Sequence, residues 1–272
     1  MFSKLLKYEW KTVSRLLGIL SLCVLGAGVL GGALIRLITF LTSKAVNDSM
    51  AILLIVAFFL MLIGLYVAIL VYAAGTNIYL LFRFYKSRFT DEGYLTFTLP
   101  VSNRSILLSA YVNNLLWSVI STVTTFLAIV LALVVGLAGN PEMGDFPMIF
   151  AGFGEAMQDT FLDGYLILQG IGVMLSGAAG VMIGMASVTV GAVIAKKHKI
   201  LAAIGIYYAQ SLVMGMLGGI LQVAVTFMTF SVDMGDVAYA LMSSLTYVLQ
   251  AAWGVGAYFL SMHLINKKLN LP

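Results

Sequence analysis

The sequence predicts an all-α integral membrane protein with six transmembrane helices and both termini in the cytoplasm. Three observations carry that reading. Of 272 residues, 61% are apolar and only 10% charged, with a mean hydropathy of +1.04, outside the range of a water-soluble domain. The apolar residues gather into six long segments, and lipid obliges each crossing to satisfy its own backbone hydrogen bonds, as a continuous helix does. Thirteen of the fifteen Lys and Arg residues fall in alternate polar pieces: Lys4, Lys7, Lys11 and Arg15; Arg83, Lys86, Arg88 and Arg104; Lys196, Lys197 and Lys199; Lys267 and Lys268. The intervening pieces hold only Arg36 and Lys44, with eight of the eleven acidic residues. A Lys/Arg excess in short loops marks the cytoplasmic side.

Residues 1–15 read as an amphipathic helix lying in the cytoplasmic interface. Phe2, Leu5, Leu6 and Val13 recur at helical spacing, while Lys4, Lys7, Lys11 and Arg15 step down another side. Tyr8 and Trp10 suit the headgroup layer. A solvated leader is the plainer reading, but apolar residues and lysines sort onto different faces. The basic start and apolar run also resemble a signal peptide, yet that run is longer than a signal core, which favours a retained first helix.

The transmembrane domain, 16–272, has spans at about 16–39, 51–82, 106–137, 162–195, 200–228 and 237–265. At about 1.5 Å per residue the second, third and fourth would reach about 48–51 Å, against a hydrocarbon core of about 30 Å. Some helices should therefore project beyond the bilayer. Pro100, Pro141, Pro147 and Pro272 all lie outside the spans, so proline hinges are not signalled. The longest outer loop, 138–161, combines Glu142, Asp145, Glu155 and Asp159 with Phe146, Ile149, Phe150, Phe153 and Met157. It can fold as a short surface helix. Its carboxylates lack calcium-loop spacing, so a solvated acidic loop is favoured over a metal site.

Span four carries Gln169, Gly172, Ser176, Gly180, Gly184, Ser187 and Gly191 at steps of three and four. Small residues on one face allow close helix approach in lipid, either within one subunit or between subunits. Gly28/Gly32 and Gly215/Gly219 repeat the pattern. Asn114, Ser118, Ser121 and Thr125 share a face of span three; Gln210, Gln222 and Thr226 lie on span five; Ser243, Tyr247, Gln250 and Gly254 lie on span six. These polar residues either line a translocation path or hydrogen-bond between helices, a contribution of about 0.6 kcal/mol each.

Absences narrow the functions. No Asp, Glu, Lys or Arg lies within a span away from its ends, whereas proton relays and ion-coupling sites use such residues. HExxH, GxSxG and GxxxxGK[ST] motifs are missing, so no catalytic or phosphate-loop chemistry is signalled on this chain. His198 and His263 read as interfacial polar residues, and single Cys23 as a packing residue. The sequence pI near 9.1 reflects basic residues at segment ends, where they meet anionic headgroups rather than nucleic acid.

The longest cytoplasmic connection, 83–104, is the functional clue. Thr90 can cap a helix whose first turn holds Asp91 and Glu92, and Pro100 can terminate it. The product is a two-turn helix presenting Tyr94, Leu95 and Phe97. An apolar patch on a short charged loop suggests a docking element for a soluble partner; settling against headgroups is the alternative.

With its opening Phe2-Ser3-Lys4-Leu5-Leu6-Lys7-Tyr8-Glu9-Trp10-Lys11 and the motif Asp91-Glu92-Gly93-Tyr94-Leu95-Thr96-Phe97-Thr98-Leu99-Pro100-Val101-Ser102, the chain resembles permease subunits of ATP-binding-cassette (ABC) exporters of the type-2 class, particularly small Gram-positive bacterial ones. The resemblance covers the whole chain in layout and two short motifs in residue identity. It implies a connecting helix at Lys4, Lys7, Tyr8, Trp10 and Lys11. It also implies a coupling helix in which Asp91, Glu92, Gly93, Tyr94, Leu95, Phe97 and Pro100 dock on a separate ATPase subunit. ATP and Mg would be bound by that partner, with no cofactor on this chain, and a second permease subunit, identical or homologous, would complete the path in a bacterial cell membrane. Exported amphiphiles, drugs or antimicrobial peptides are the implied cargo. Segment 229–236 is too short for the re-entrant helices such permeases place there, which leaves loop 138–161 as the alternative outer gate. An autonomous secondary transporter or channel, and a membrane-bound enzyme or scaffold, are the competing classes.

Overall fold

The computed structural model describes residues 2–44, 48–98, 100–137, 152, 154, 165–195, 197–231 and 244–267. Among them the regular elements are seven helices and no strand: α1 (Phe2–Ser43), α2 (Asp48–Phe89), α3 (Asp91–Phe97), α4 (Asn103–Leu137), α5 (Tyr165–Ile194), α6 (Lys199–Ser231) and α7 (Leu245–Lys267). All but α3 are long and apolar enough to cross a bilayer, the make-up of a multi-pass membrane protein. Loop 138–161 and its proposed surface helix lie outside the described residues, apart from Gly152 and Gly154, as do residues 237–243 of the sixth expected segment.

Two helices run past the ends of the expected spans, one unexpectedly and one in line with the projection expected beyond the bilayer. Residues 2–15 are not a separate helix; they run without interruption into the first apolar stretch, making α1 42 residues long. No proline or glycine interrupts residues 2–17, and once a helix is nucleated each further residue adds a hydrogen bond. Helix α2 is also 42 residues long, about 63 Å at about 1.5 Å per residue, twice the hydrocarbon thickness.

The chain divides into two compact units. In the unit of Lys7–Leu80 and Leu116–Glu155, α1 lies against α4 through glycines. A Cβ on Gly28 would sit 2.5 Å from the Ala128 carbonyl oxygen, and one on Gly32 2.6 Å from that of Ala132. Gly136 reciprocates, with the Ile35 Cγ2 2.9 Å from where its Cβ would be. Val13, Leu17, Leu80 and Trp117 form a buried cluster beside this seam, and Trp10 stacks on Trp117 at 4.9 Å between ring centroids. Within it, Ser21 Oγ and Tyr72 Oη are hydrogen-bonded at 2.7 Å. Cys23, expected to pack, is exposed: two residues past Ser21 means about 200° around the helix from the packed face.

Gly28→Leu is expected to destabilise this unit by about 1–3 kcal/mol, because the contact is backbone against backbone and neither side can rotate away. Gly18→Leu, at a position with nothing within 4 Å, should leave stability close to that of the parent. Thermal unfolding of the purified variants in detergent checks both.

In the unit of Met1–Leu6, Leu81–Leu115 and Ala156–Pro272, α5 is the centre. More than half of its apolar window is buried, the highest share among the six long helices. Its small residues contribute to this, admitting close neighbours at Gly172, Gly184 and Gly191 but none at Gly180. A Cβ on Gly172 would strike the Tyr247 ring of α7. A Cβ on Gly184 would lie 3.1 Å from the Leu81 side chain of α2, and one on Gly191 2.5 Å from the Ala203 backbone of α6. Helix α7 returns the fit at Gly254, where a Cβ would lie 2.7 Å from that of Ala179. These residues of the stripe serve packing inside the chain. Met182, Met185, Ala186, Phe84, Leu107 and Ile265 fill the core around them.

Candidate functional site

The sharp turn from α2 into α3 is built by one glycine and one buried arginine. Gly93 is buried, and a Cβ there would collide with the backbone carbonyl of Arg88; only glycine lets α3 fold back this closely. Its N–H donates to the Thr90 carbonyl at 2.7 Å. Arg88 is 2% exposed, donating from Nη1 to Ser87 Oγ at 2.6 Å and from Nη2 to the Ile106 carbonyl at 3.2 Å. Its guanidinium lies 5.1 Å from the Phe84 ring centroid. Hydrogen bonds from both Nη atoms and the ring beside it lessen the cost of burying this cation, and it fastens the end of α2 to the first turn of α4.

Further ties hold α3 in place. Thr96 Oγ1 lies within hydrogen-bonding distance of both the Ser87 and Glu92 carbonyl oxygens, 3.1 Å from each. Glu92 meets Arg83 Nη1 at 3.2 Å and Lys86 Nζ at 3.6 Å; being partly exposed, these pairs fix geometry more than they stabilise. Asn103 Nδ2 donates to Asn266 Oδ1 at 2.9 Å, linking the start of α4 to the end of α7.

Thr90 occupies the N-cap position but makes no side-chain cap. Its hydroxyl donates instead to the Lys86 carbonyl, satisfying the C-terminal end of α2, and the rotamer that reaches back turns it from the N–H groups of α3. Asp91 and Pro100 are exposed, as is Tyr94 at 60%. Phe97 is only partly exposed, packed against the buried core, so it is not presented as expected: it shares the inward face with Gly93, one turn earlier. The side chain of Leu95 lies outside the described residues. Among the described side chains of α3, the apolar group on show is Tyr94.

The other sequence-derived residues scatter. Lys4, Lys7, Tyr8 and Lys11 are exposed along the start of α1. On α4, Asn114 and Ser121 are buried and Thr125 partly so, while Ser118 Oγ donates to Asn77 Oδ1 at 3.3 Å. Gln222 is exposed on α6.

Gln210 and Gln250 are brought together. They line one cavity of ≈ 320 Å³ walled by α5, α6 and α7, with Gly180, Tyr207, Ser211 and Thr246. Gln210 Nε2 donates to the Ile183 carbonyl at 3.2 Å and to Ser187 Oγ, so the small-residue stripe also fixes this amide. No group of three or more His, Cys, Asp or Glu side chains among the described residues is placed to hold a metal ion.

No protein-family model, curated protein or solved structure matches this chain.

Sequence reasoning missed Arg88 as a staple and Thr96 as a tie. The arginine had a signal: Phe84 lies four residues before it and Phe89 directly after, the spacing that places a guanidinium over a ring. The pairing of Glu92 with Arg83 and Lys86 crosses a turn, at separations no helical period encodes.

Proposed function

We propose that the chain is the membrane permease subunit of an ABC exporter of the type-2 class, in a bacterial cell membrane with both termini inside. A separate ATP-hydrolysing subunit docks on residues 90–100. The observation that carries this reading is α3 itself: seven residues folded back by Gly93 and fastened through Arg88 and Thr96, yet displaying Tyr94 to solvent. An element held this firmly while exposing an aromatic side chain suits transmission of force from a soluble partner. Asp91, Glu92 and Pro100 complete the docking surface, and Phe97 anchors it from beneath.

The long helices and the lack of charged residues within the spans support a body that moves cargo without its own ion-coupling groups. ATP and Mg reside on the partner, a second permease subunit completes the path, and cargo is an amphiphile, a drug or an antimicrobial peptide. Affinity purification of the tagged chain from its native membrane is the test. A stoichiometric soluble ATPase in the eluate is the expected result. Ion-gradient-driven solute movement by the chain alone in liposomes, with no ATPase recovered, favours the secondary transporter or channel and overturns the proposal.

A further inference from the structure

We propose that the cavity between α5, α6 and α7 binds an uncharged amphiphile whose polar end carries hydrogen-bond donors. The cavity exists because Gly180, Gly215 and Gly218 leave room: a Cβ on any of them would meet nothing within 4 Å. Its ≈ 320 Å³ far exceeds the about 10–15 Å³ of such space that one water needs, and suits a headgroup with its first methylenes rather than a folded peptide. The lining has two characters. Gln210, Gln250, Ser211 and Thr246 supply amides and hydroxyls, while Ile183, Met214 and Leu249 are apolar.

None of these lining residues carries a formal charge, so a charged headgroup entering from water would lose its hydration with no counter-charge to replace it. The two amides set the polarity of the match. Gln210 directs its Nε2 at the Ile183 carbonyl and Ser187 Oγ on α5, which leaves its carbonyl oxygen as an acceptor. Gln250 makes no hydrogen bond to another described residue, leaving an amide that gains from a ligand hydroxyl or amide in a lipid surround. Because labelling needs the chain alone, this site stands or falls apart from the ATPase partnership.

The test uses the full chain in phosphatidylcholine vesicles with a photoactivatable monoacylglycerol, and a photoactivatable ionised fatty acid of equal length as the charged control. The expected result is saturable labelling of peptides containing Gly180, Ser211 or Gln250 by the monoacylglycerol, exceeding that by the fatty acid. Unlabelled monoacylglycerol tests a bilayer source of ligand and octyl glucoside added from water an aqueous one; competition by either supports the site. Gly215→Leu, which fills the cavity from a position without neighbours, should abolish saturable labelling. Gln250→Leu should weaken it about three- to tenfold, the value of one hydrogen bond. Labelling that is non-saturable, equal for both probes, or unchanged in a folded Gly215→Leu variant overturns the proposal.

Discussion

Replacing Tyr94 and Leu95 together with Asp is expected to uncouple the proposed partner ATPase, lowering cargo-stimulated hydrolysis by about 30-fold or more while membrane insertion stays intact. Tyr94 is 60% exposed on a helix held down through Gly93, Thr96 and Phe97, so its ring is free to be buried by a partner. An aromatic anchor in a desolvated pocket contributes about 2 kcal/mol or more to an interface, which corresponds to that factor. A carboxylate in its place adds a desolvation cost. Tyr94→Phe keeps the ring and should retain most coupling. The measurement is ATPase activity of the reconstituted complex with and without cargo, alongside vesicle transport. Normal transport by the double Asp variant would sink the docking assignment.

Gly93→Leu is expected to open the turn between α2 and α3. Its Cβ would meet the Arg88 carbonyl, backbone that can move only by opening the turn. Opening it separates Thr96 from Ser87 and Glu92 from Arg83 and Lys86. Overpacking of this kind costs about 1–3 kcal/mol, which translates to about 5- to 150-fold faster amide exchange across residues 91–98 if opening is the limiting step. The long helices should exchange as before, because their own hydrogen bonds are internal. Hydrogen exchange of the detergent-solubilised protein reads both regions, and unchanged protection at 91–98 would refute the account of the turn. Coupling should fall in this variant too, with Tyr94 intact, separating the placement of α3 from the surface it offers.

The two-turn helix after α2 was legible because its signals are local: Asp91 and Glu92 at the start and Pro100 beyond the end. Which of its side chains face outward was not. Gly93 and Phe97 turn inward because α3 folds against α2, and that reversal depends on a carbonyl five residues back rather than on period. The same limit applies to polar positions in the spans. Gln210, Gln222 and Gln250 look alike as isolated amides in apolar segments, yet the first and third share a cavity and the second is exposed. Periodicity orders residues around one helix and says nothing about which helix stands opposite.

What the amino-acid order determined alone is the set of long helices. Apolar stretches in lipid have no hydrogen-bond partner but themselves, so length and hydropathy suffice to specify them. The tertiary structure decided what the small and charged residues do: Gly28 and Gly32 meet α4, Gly172 meets Tyr247, Gly191 meets Ala203, and Arg88 goes inside. Helix association in lipid comes from close van der Waals fit and a few hydrogen bonds. Those depend on the shape of both surfaces at once, and a single segment carries only one of them.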